Sequence, residues 1–561
     1  MRNKRFQVKK PGSVTLIIET GQGNQYTFTV QDLSVTGLFC VIEGEAAAKV
    51  QEEISDDTIV ASSKVLFEKE EAYLGRLAVQ RRFFENGVFR VGFSTIDSKV
   101  PLDGKLSRFI ELNFHSEGSV FDVELPAQGF NLASFLTMDL TNADIFDRAQ
   151  KFNHFYEDWK KSDRFAYMIP RTSMAGARVN LDRTRDGDRS DFLMFGTNDY
   201  LGLSHHPEVL EAAIKSIEKY GFGSTGTHTT SGTTDAHEEL AFRVARLYGK
   251  EDALVYSSGY NTNVGIIAGI AREQDLLVAD INAHASMHDG MAMSRATVRI
   301  FKHNDMDHLR KVLAENRDKY GGCMILTEGA FSMDGSLGDL KTISEIANEY
   351  NARTYVDQGH CFGVLGNRGL GTSEVTNTTN KIDLIVGLFS KAIGTMGGFV
   401  VGRKDVMNWL RSYSRSYMFG TSFPPSVASA SLAAIDIITR DRILRDKLRS
   451  NIQHFIRILN RRGIVVPPDH TTPIIPILIG DEVKIGKIFK AMMNDGVFAL
   501  PVVYPVVARN KSRFRFSITT SHSISDLEYA VNSLERAAKA AGVDLVEAAA
   551  TLTAGKPQST A

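Results

Sequence analysis

From about residue 165 onward, short apolar runs alternate with stretches of helical periodicity, and this alternation constrains the fold more than any other feature. The runs at 253–256, 276–279, 324–327, 354–356 and 384–386 are rich in Leu, Ile and Val. They have the length of strands and carry almost no polar residues, as strands buried on both faces do. Between them, 309–316 and 343–350 repeat apolar residues at helical spacing. Strands separated by helices join in parallel through crossovers. The spacing therefore predicts an α/β fold: a mainly parallel sheet with helices on both faces. The strand-like 514–519 and the helical 525–541 add a small C-terminal α/β domain. Such sheets bind ligands at the carboxyl ends of their strands.

The first hundred residues read differently. Candidate strands at 14–19, 26–30, 38–42, 60–67, 73–80 and 88–93 are separated by turn signals, which predicts a small all-β barrel. A connector follows over 113–140. A helix is expected from Thr141, which has capping-box spacing to Asp144. Ile145, Phe146, Ala149, Phe152, Tyr156 and Trp159 recur at helical spacing and predict packing against the next domain. Residues from 546 are Ala, Thr, Ser and Pro and predict a disordered tail. The expected domains are thus 1–115, a connecting segment 116–164, a catalytic domain 165–545 and a tail 546–561.

Composition narrows the function classes. Lys plus Arg (65) nearly balances Asp plus Glu (66), so no global charge excess points to a nucleic acid polymer. Cys40, Cys323 and Cys361 are far apart and odd in number, which argues against a disulfide framework or a metal site. No stretch approaches the ~18 consecutive apolar residues of a transmembrane segment. The basic start at Met1 is not followed by the apolar run of a signal peptide. A cytoplasmic protein is expected.

Two consecutive strands end in residues that carry chemistry. The run 354–356 leads into Asp357, and 384–386 leads through Leu388 to Lys391. A lysine just past a buried strand is desolvated, which lowers its pKa and makes its amine a better nucleophile toward an aldehyde. Pyridoxal 5′-phosphate (PLP) needs such a lysine, and a carboxylate to keep its pyridine nitrogen protonated. Lys391 and Asp357 supply both. A third strand end, at 253–256, runs into Ser257-Ser258-Gly259-Tyr260 and then a helix. A small-residue turn at a helix start offers free N–H groups to a phosphate.

With these residues the segment 165–545 resembles the α-oxoamine synthase family of fold-type I PLP enzymes, which includes serine palmitoyltransferase and 8-amino-7-oxononanoate synthase. The family's motifs stand in order: Asn198-Asp199-Tyr200, the glycine-rich 221–232, Ser258-Gly259-Tyr260, His284-Ala285-Ser286, 328–335, Asp357 with His360, Lys391, and 513–522. The resemblance implies a decarboxylating acyltransferase. It would condense an amino acid with an acyl thioester, on CoA or an acyl carrier protein, as a homodimer with shared active sites. Lys391 would hold the cofactor covalently and Asp357 its ring nitrogen. His360 would bond the ring's phenolic oxygen, and His284 would stack on its face. Gly259 and Tyr260 would donate to the phosphate, and Ser332 would lie near the ring. Arg515, with Asn198, would bind the substrate carboxylate, and Thr421 would reach the neighbouring subunit's phosphate. Within the family, Met396-Gly397-Gly398-Phe399 and the apolar C-terminal segment resemble serine palmitoyltransferase, an enzyme of sphingolipid biosynthesis. Oxononanoate synthase chemistry or amino transfer are the alternatives. The sequence departs from the family at Leu388, where a threonine usually contacts the phosphate. Ser390, or Thr421 with backbone amides, would have to replace that contact.

The N-terminal segment Asp32-Leu33-Ser34-Val35-Thr36-Gly37 resembles the D-x-S-x-x-G motif of PilZ domains, and Val91-Gly92-Phe93 resembles their late strand. That resemblance implies cyclic di-GMP as a ligand, held by Asp32, Ser34, Gly37 and an upstream arginine pair. Arg2 and Arg5 lack the pair's spacing. Arg5 with Lys9 has it, but a lysine is no substitute for a guanidinium fork. A docking or dimerisation module is the other reading of this domain. A nucleotide receptor with a vestigial catalytic domain is the rival from a different class, opposed by the intact Lys391, Asp357, His284 and Arg515.

Overall fold

The computed structural model describes the backbone of ten strands between Phe6 and Ser116, scattered helical positions between 146 and 160, and residues 166–182 and 191–553 apart from 468, 469, 505 and 509. The chain divides into two compact units, Met1–Tyr156 and Glu157–Ala561.

In the first unit the ten strands form one antiparallel sheet. The described pairings include none between Ile59–Val60 and Glu70–Tyr73, the two ends of the strand order. The described strands of this unit thus belong to one continuous sheet. The D-x-S-x-x-G segment spans a hairpin: Gln25–Ser34 pairs with Gly37–Glu43, and Ser34 lies opposite Gly37. The side chains of Asp32 and Ser34, and Arg5 altogether, lie outside the described residues, as do Thr141 and Asp144. Of the expected aromatic stripe, Trp159 is buried, with its ring 5.7 Å from that of Tyr167.

The second unit is built on a seven-stranded sheet. Its strands are β1 (Asp252–Tyr256), β2 (Asp275–Asp280), β3 (Thr297–Phe301), β4 (Gly322–Glu328), β5 (Arg353–Asp357), β6 (Leu384–Leu388) and β7 (Gly398–Gly402). Their spatial order is β1-β7-β6-β5-β4-β2-β3. The contiguous pairs from β6 to β3 are parallel, and β7 runs antiparallel to β1 and β6. The 389–397 connection is too short for a crossover helix, so β7 returns alongside β6 in the opposite sense. The apolar runs are buried throughout, as their composition predicts. Only β3, with Arg299 and Ile300 exposed, is an edge strand that lacks the apolar signature. Covering helices follow ordinary physics. Leu340–Glu349 buries Leu340, Ile343, Ile346 and Ala347 along one stripe, and the Asp339 side chain accepts from the Thr342 N–H at its start.

The C-terminal sheet pairs Ser512–Ser517 with Ile474–Gly480 and Leu500–Val502, all antiparallel. One expectation is corrected here. The tail does not lose structure at 546, because Leu545–Thr553 is a helix. Leu545 and Ala549, four residues apart on one face, are buried and join the main core.

Candidate active site

The carboxyl ends of β4, β5 and β6 gather the site. Glu328 ends β4, Asp357 ends β5, and Lys391 follows β6 by three residues. Asp357 is 5% exposed and each of its oxygens accepts one hydrogen bond. Asn263 Nδ2 donates to Oδ2 at 2.7 Å, and the Gly359 N–H donates to Oδ1 at 2.7 Å. Asn263 comes from α1 (Gly259–Ile270) and is itself oriented. Tyr355 Oη donates to its Oδ1 at 2.5 Å, and its Nδ2 also reaches Ser286 Oγ at 2.9 Å. These bonds fix the carboxylate's position at the strand end.

Lys391 stands among these groups. Burial pushes its ammonium down to about 8, and the nearby Asp357 and Glu328 only partly oppose this. At neutral pH an appreciable fraction of its amine is therefore neutral and nucleophilic.

His284 caps helix α2 (Ala285–Ser294) and presents an exposed side chain. Ser286 directs both its backbone N–H (3.2 Å) and its hydroxyl (2.8 Å) at His284 Nδ1. A backbone N–H can only donate, so Nδ1 is the acceptor and the neutral ring carries its proton on Nε2. Asn263, Ser286 and His284 thus form one chain of bonds that begins at Asp357.

His360 is buried, and its Nδ1 lies 2.8 Å from Tyr200 Oη. Burial holds its pKa well below the usual value, helped by the positive charges of Lys391 and Arg515. Arg515 is 4% exposed on the C-terminal sheet. Its Nε donates to the Ser332 carbonyl at 2.6 Å and its Nη1 to Ser517 Oγ at 3.0 Å. Its Nη2 donates to Asn198 Oδ1 at 3.2 Å and Tyr200 Oη at 3.3 Å. No carboxylate neutralises this guanidinium among the described residues, and a buried cation held only by neutral groups is prepared for an anionic ligand.

The Ser258–Tyr260 turn opens α1. Ser258 Oγ accepts the Asn261 N–H at 3.1 Å, and the Ser258 carbonyl accepts the Thr262 N–H at 3.0 Å. Among the described residues the N–H groups of Gly259 and Tyr260 meet no acceptor. They are the orphan donors of a helix start, which suit a phosphate. Leu388 lies against this turn. A Cβ on Gly259 would fall 2.6 Å from Leu388 Cδ2, and one on Gly359 would fall 2.6 Å from Leu388 Cδ1. A side chain at either glycine would displace the leucine. Ser390 is exposed, and Tyr260 Oη bonds Asp289.

Thr421 is exposed and bridges Thr227 through the backbone, outside the cluster around Lys391. Cys361 is fully buried and burial raises its thiol to about 11, so it is no nucleophile. Three contributors, Asn263, Tyr355 and Glu328, were not singled out from the sequence. Asn263 and Tyr355 act only through folded neighbours and carry no local signal. Glu328 could have been found as the polar end of an otherwise apolar strand, the same signal that identifies Asp357.

The donor set fits PLP: a desolvated lysine, a doubly bonded carboxylate beside it, a neutral imidazole on an exposed face, and free N–H groups at a helix start.

Comparison with known proteins agrees. The family model for aminotransferase class I and II matches residues 190–534. An 8-amino-7-oxononanoate synthase from Thermoanaerobacter pseudethanolicus is 37% identical over 383 residues, covering 68% of this chain and 95% of that protein. A serine palmitoyltransferase from Bacteriovorax stolpii is 37% identical over 347 residues, covering 62% of this chain and 82% of that protein. Among solved structures, a serine palmitoyltransferase from S. paucimobilis with bound PLP and myriocin gives a TM-score of 0.67 at 26% identity. That match covers 71% of this chain and all of that one, 100%.

Proposed function

The chain belongs to the aminotransferase class I and II family and is a PLP-dependent acyltransferase of the α-oxoamine synthase type, and from that premise we propose that it condenses an α-amino acid with an acyl thioester. The amino acid's α-carbon bonds to the thioester carbonyl carbon, the thiol leaves, and the carboxylate departs as CO₂, giving an α-amino ketone. When bound, PLP supplies an electron-accepting ring that takes up the charge left at the α-carbon.

The chain's own residues do the rest. Asp357, fixed by Asn263 and Gly359, holds a proton on the ring nitrogen. Lys391 would attach the cofactor, and its desolvated amine would take up and return the α-proton. Arg515 takes the substrate carboxylate with Asn198 alongside. His284 would cover the ring face, and His360, held by Tyr200, would bond the phenolic oxygen. Gly259 and Tyr260 would hold the phosphate through their N–H groups, and Ser332 would border the ring. Thr421 serves the site of a second subunit in a homodimer with shared sites.

The observation that carries this reading is the meeting of Lys391, Asp357 and uncompensated Arg515 in one buried cluster. A site that only attached the cofactor would not need the arginine. The chemistry of serine palmitoyltransferase is the version favoured, with a long-chain acyl thioester as donor. Free-thiol release is the test, followed with serine, alanine and glycine against short- and long-chain acyl-CoA and acyl carrier protein. Release that needs both an amino acid and a long-chain donor is expected. Release with pimeloyl thioester alone among the donors favours the oxononanoate synthase version, and no release with any donor overturns the condensation.

The N-terminal sheet is proposed as a separate PilZ-like module, on the hairpin that carries Asp32 to Gly37. Titration of the full chain with labelled cyclic di-GMP distinguishes a receptor from a docking module.

A further inference from the structure

Three neighbouring strands of the parallel sheet end in buried acids: Asp280 on β2, Glu328 on β4 and Asp357 on β5. Two of them are provided for. Asp280 has the His303 imidazole at 3.1 Å and the Asn304 N–H at 3.0 Å. Asp357 has Asn263 and Gly359. Glu328 differs. It is 3% exposed, and its Oε1 is buried with no hydrogen-bond partner among the described residues.

Glu328 and Asp357 are register partners on adjacent parallel strands. Two buried carboxyls in that relation cannot both ionise at ordinary cost, and the pair shares the available charge. Donors decide which one keeps it. Asp357 receives two N–H bonds of 2.7 Å, whereas Glu328 has an oxygen with none.

We propose that Glu328 is a neutral carboxylic acid and a positioning residue of the active site: by remaining protonated next to its register partner, it leaves Asp357 as the carboxyl that carries the charge beside Lys391. The groups facing it come from four elements: Asp357 from β5, Asp280 from β2, Lys391 after β6, and His284 at the start of α2. Burial and the two aspartates all hold its proton on, and only Lys391 and the His284 N–H oppose them. The proposal rests on the PLP reading for its consequence, and on this chain's own carboxyl for its test.

Infrared spectroscopy reads that carboxyl directly. Wild-type holoprotein at neutral pH is expected to show the carbonyl stretch of a protonated carboxylic acid, shifted in heavy water and missing from Glu328→Gln. Apoprotein should show the same band, so a failure to take PLP leaves this test intact. The pH titration of the cofactor's visible absorbance is the second readout. Glu328→Gln replaces one neutral group with another, so the midpoint should stay within about 0.3 unit of wild type. A midpoint lowered by about one unit or more would mean an ionised Glu328 has been removed, and overturns the proposal. So does the absence of a protonated-carboxyl band in wild type. Should Glu328→Gln not fold, wild type must still show the band at neutral pH and lose it only on raising the pH, and its absence at neutral pH is equally decisive.

Discussion

The two ends of the proposed cofactor site are built on different principles. Around Asp357, side chains supply most of the bonds: Tyr355 orients Asn263, Asn263 bonds both Asp357 and Ser286, and Ser286 fixes His284, with the Gly359 N–H on the second Asp357 oxygen. Around the Ser258–Tyr260 turn the donors are backbone N–H groups, and the packing neighbour is Leu388, which can donate nothing. The difference follows from the work at each end. Keeping a proton on a ring nitrogen requires a charge at a fixed position, which only an over-determined side chain supplies. Holding a phosphate requires N–H groups facing one way, which any well-packed helix start supplies. The carboxylate end should therefore control chemistry, and the turn end should control cofactor retention.

The most severe way to break this contrast is Asp357→Asn. It preserves shape while removing the charge, and kcat should fall on the order of 10²–10³ or more. Cofactor affinity should change far less, as equilibrium dialysis of PLP will report. Next comes Leu388→Ala at the other end. It opens a cavity between Gly259 and Gly359, at a cost of about 2–4 kcal/mol in denaturant unfolding. PLP dissociation should quicken while kcat at saturating cofactor holds within a few-fold. If Leu388→Ala instead lowers kcat as Asp357→Asn does, the division of labour is wrong. Leu388→Thr and Leu388→Val sharpen the point, because they share a shape and differ by one hydroxyl. Slower PLP release from the threonine variant would show that the phosphate lies within reach of position 388. Asn263→Ala should fall between the ends, weakening kcat about tenfold through Asp357 and His284 together.

A further expected effect is on stability against pH. Lys391 has a folded pKa of about 8, below its unfolded value of ~10.4. Between these values the unfolded apoprotein binds more protons, so stability rises with pH across that window. Lys391→Met removes the penalty. The variant apoprotein should be more stable than wild type below pH 8, and the gap should narrow as pH approaches ~10.4. A constant gap across that range would mean that the lysine is not desolvated.

Much of this contrast was legible in the sequence, for unequal reasons. Asp357 and Lys391 stand out because burying a charge at the end of an all-apolar strand is costly unless a partner or ligand meets it there. The turn at Gly259 was visible as small residues between a strand and a helix. Leu388 was visible only as a departure, and its packing against two glycines required coordinates. Asn263 and Tyr355 were silent, because a hydrogen bond across 92 residues leaves no local pattern. Strand β3 was missed since its exposed residues imitate a loop, and the terminal helix since an Ala-rich segment reads as tail until Leu545 and Ala549 find the core.

The most direct test asks whether Lys391 carries the cofactor. Purified protein supplied with PLP should absorb at ~400–430 nm, as PLP–lysine adducts do. Borohydride should bleach that band and leave a pyridoxyl group on one peptide, with Lys391 as the modified residue by mass spectrometry. Lys391→Ala should show neither the band nor the label. A label on another lysine, or an undiminished band in the Lys391→Ala protein, would contradict the account.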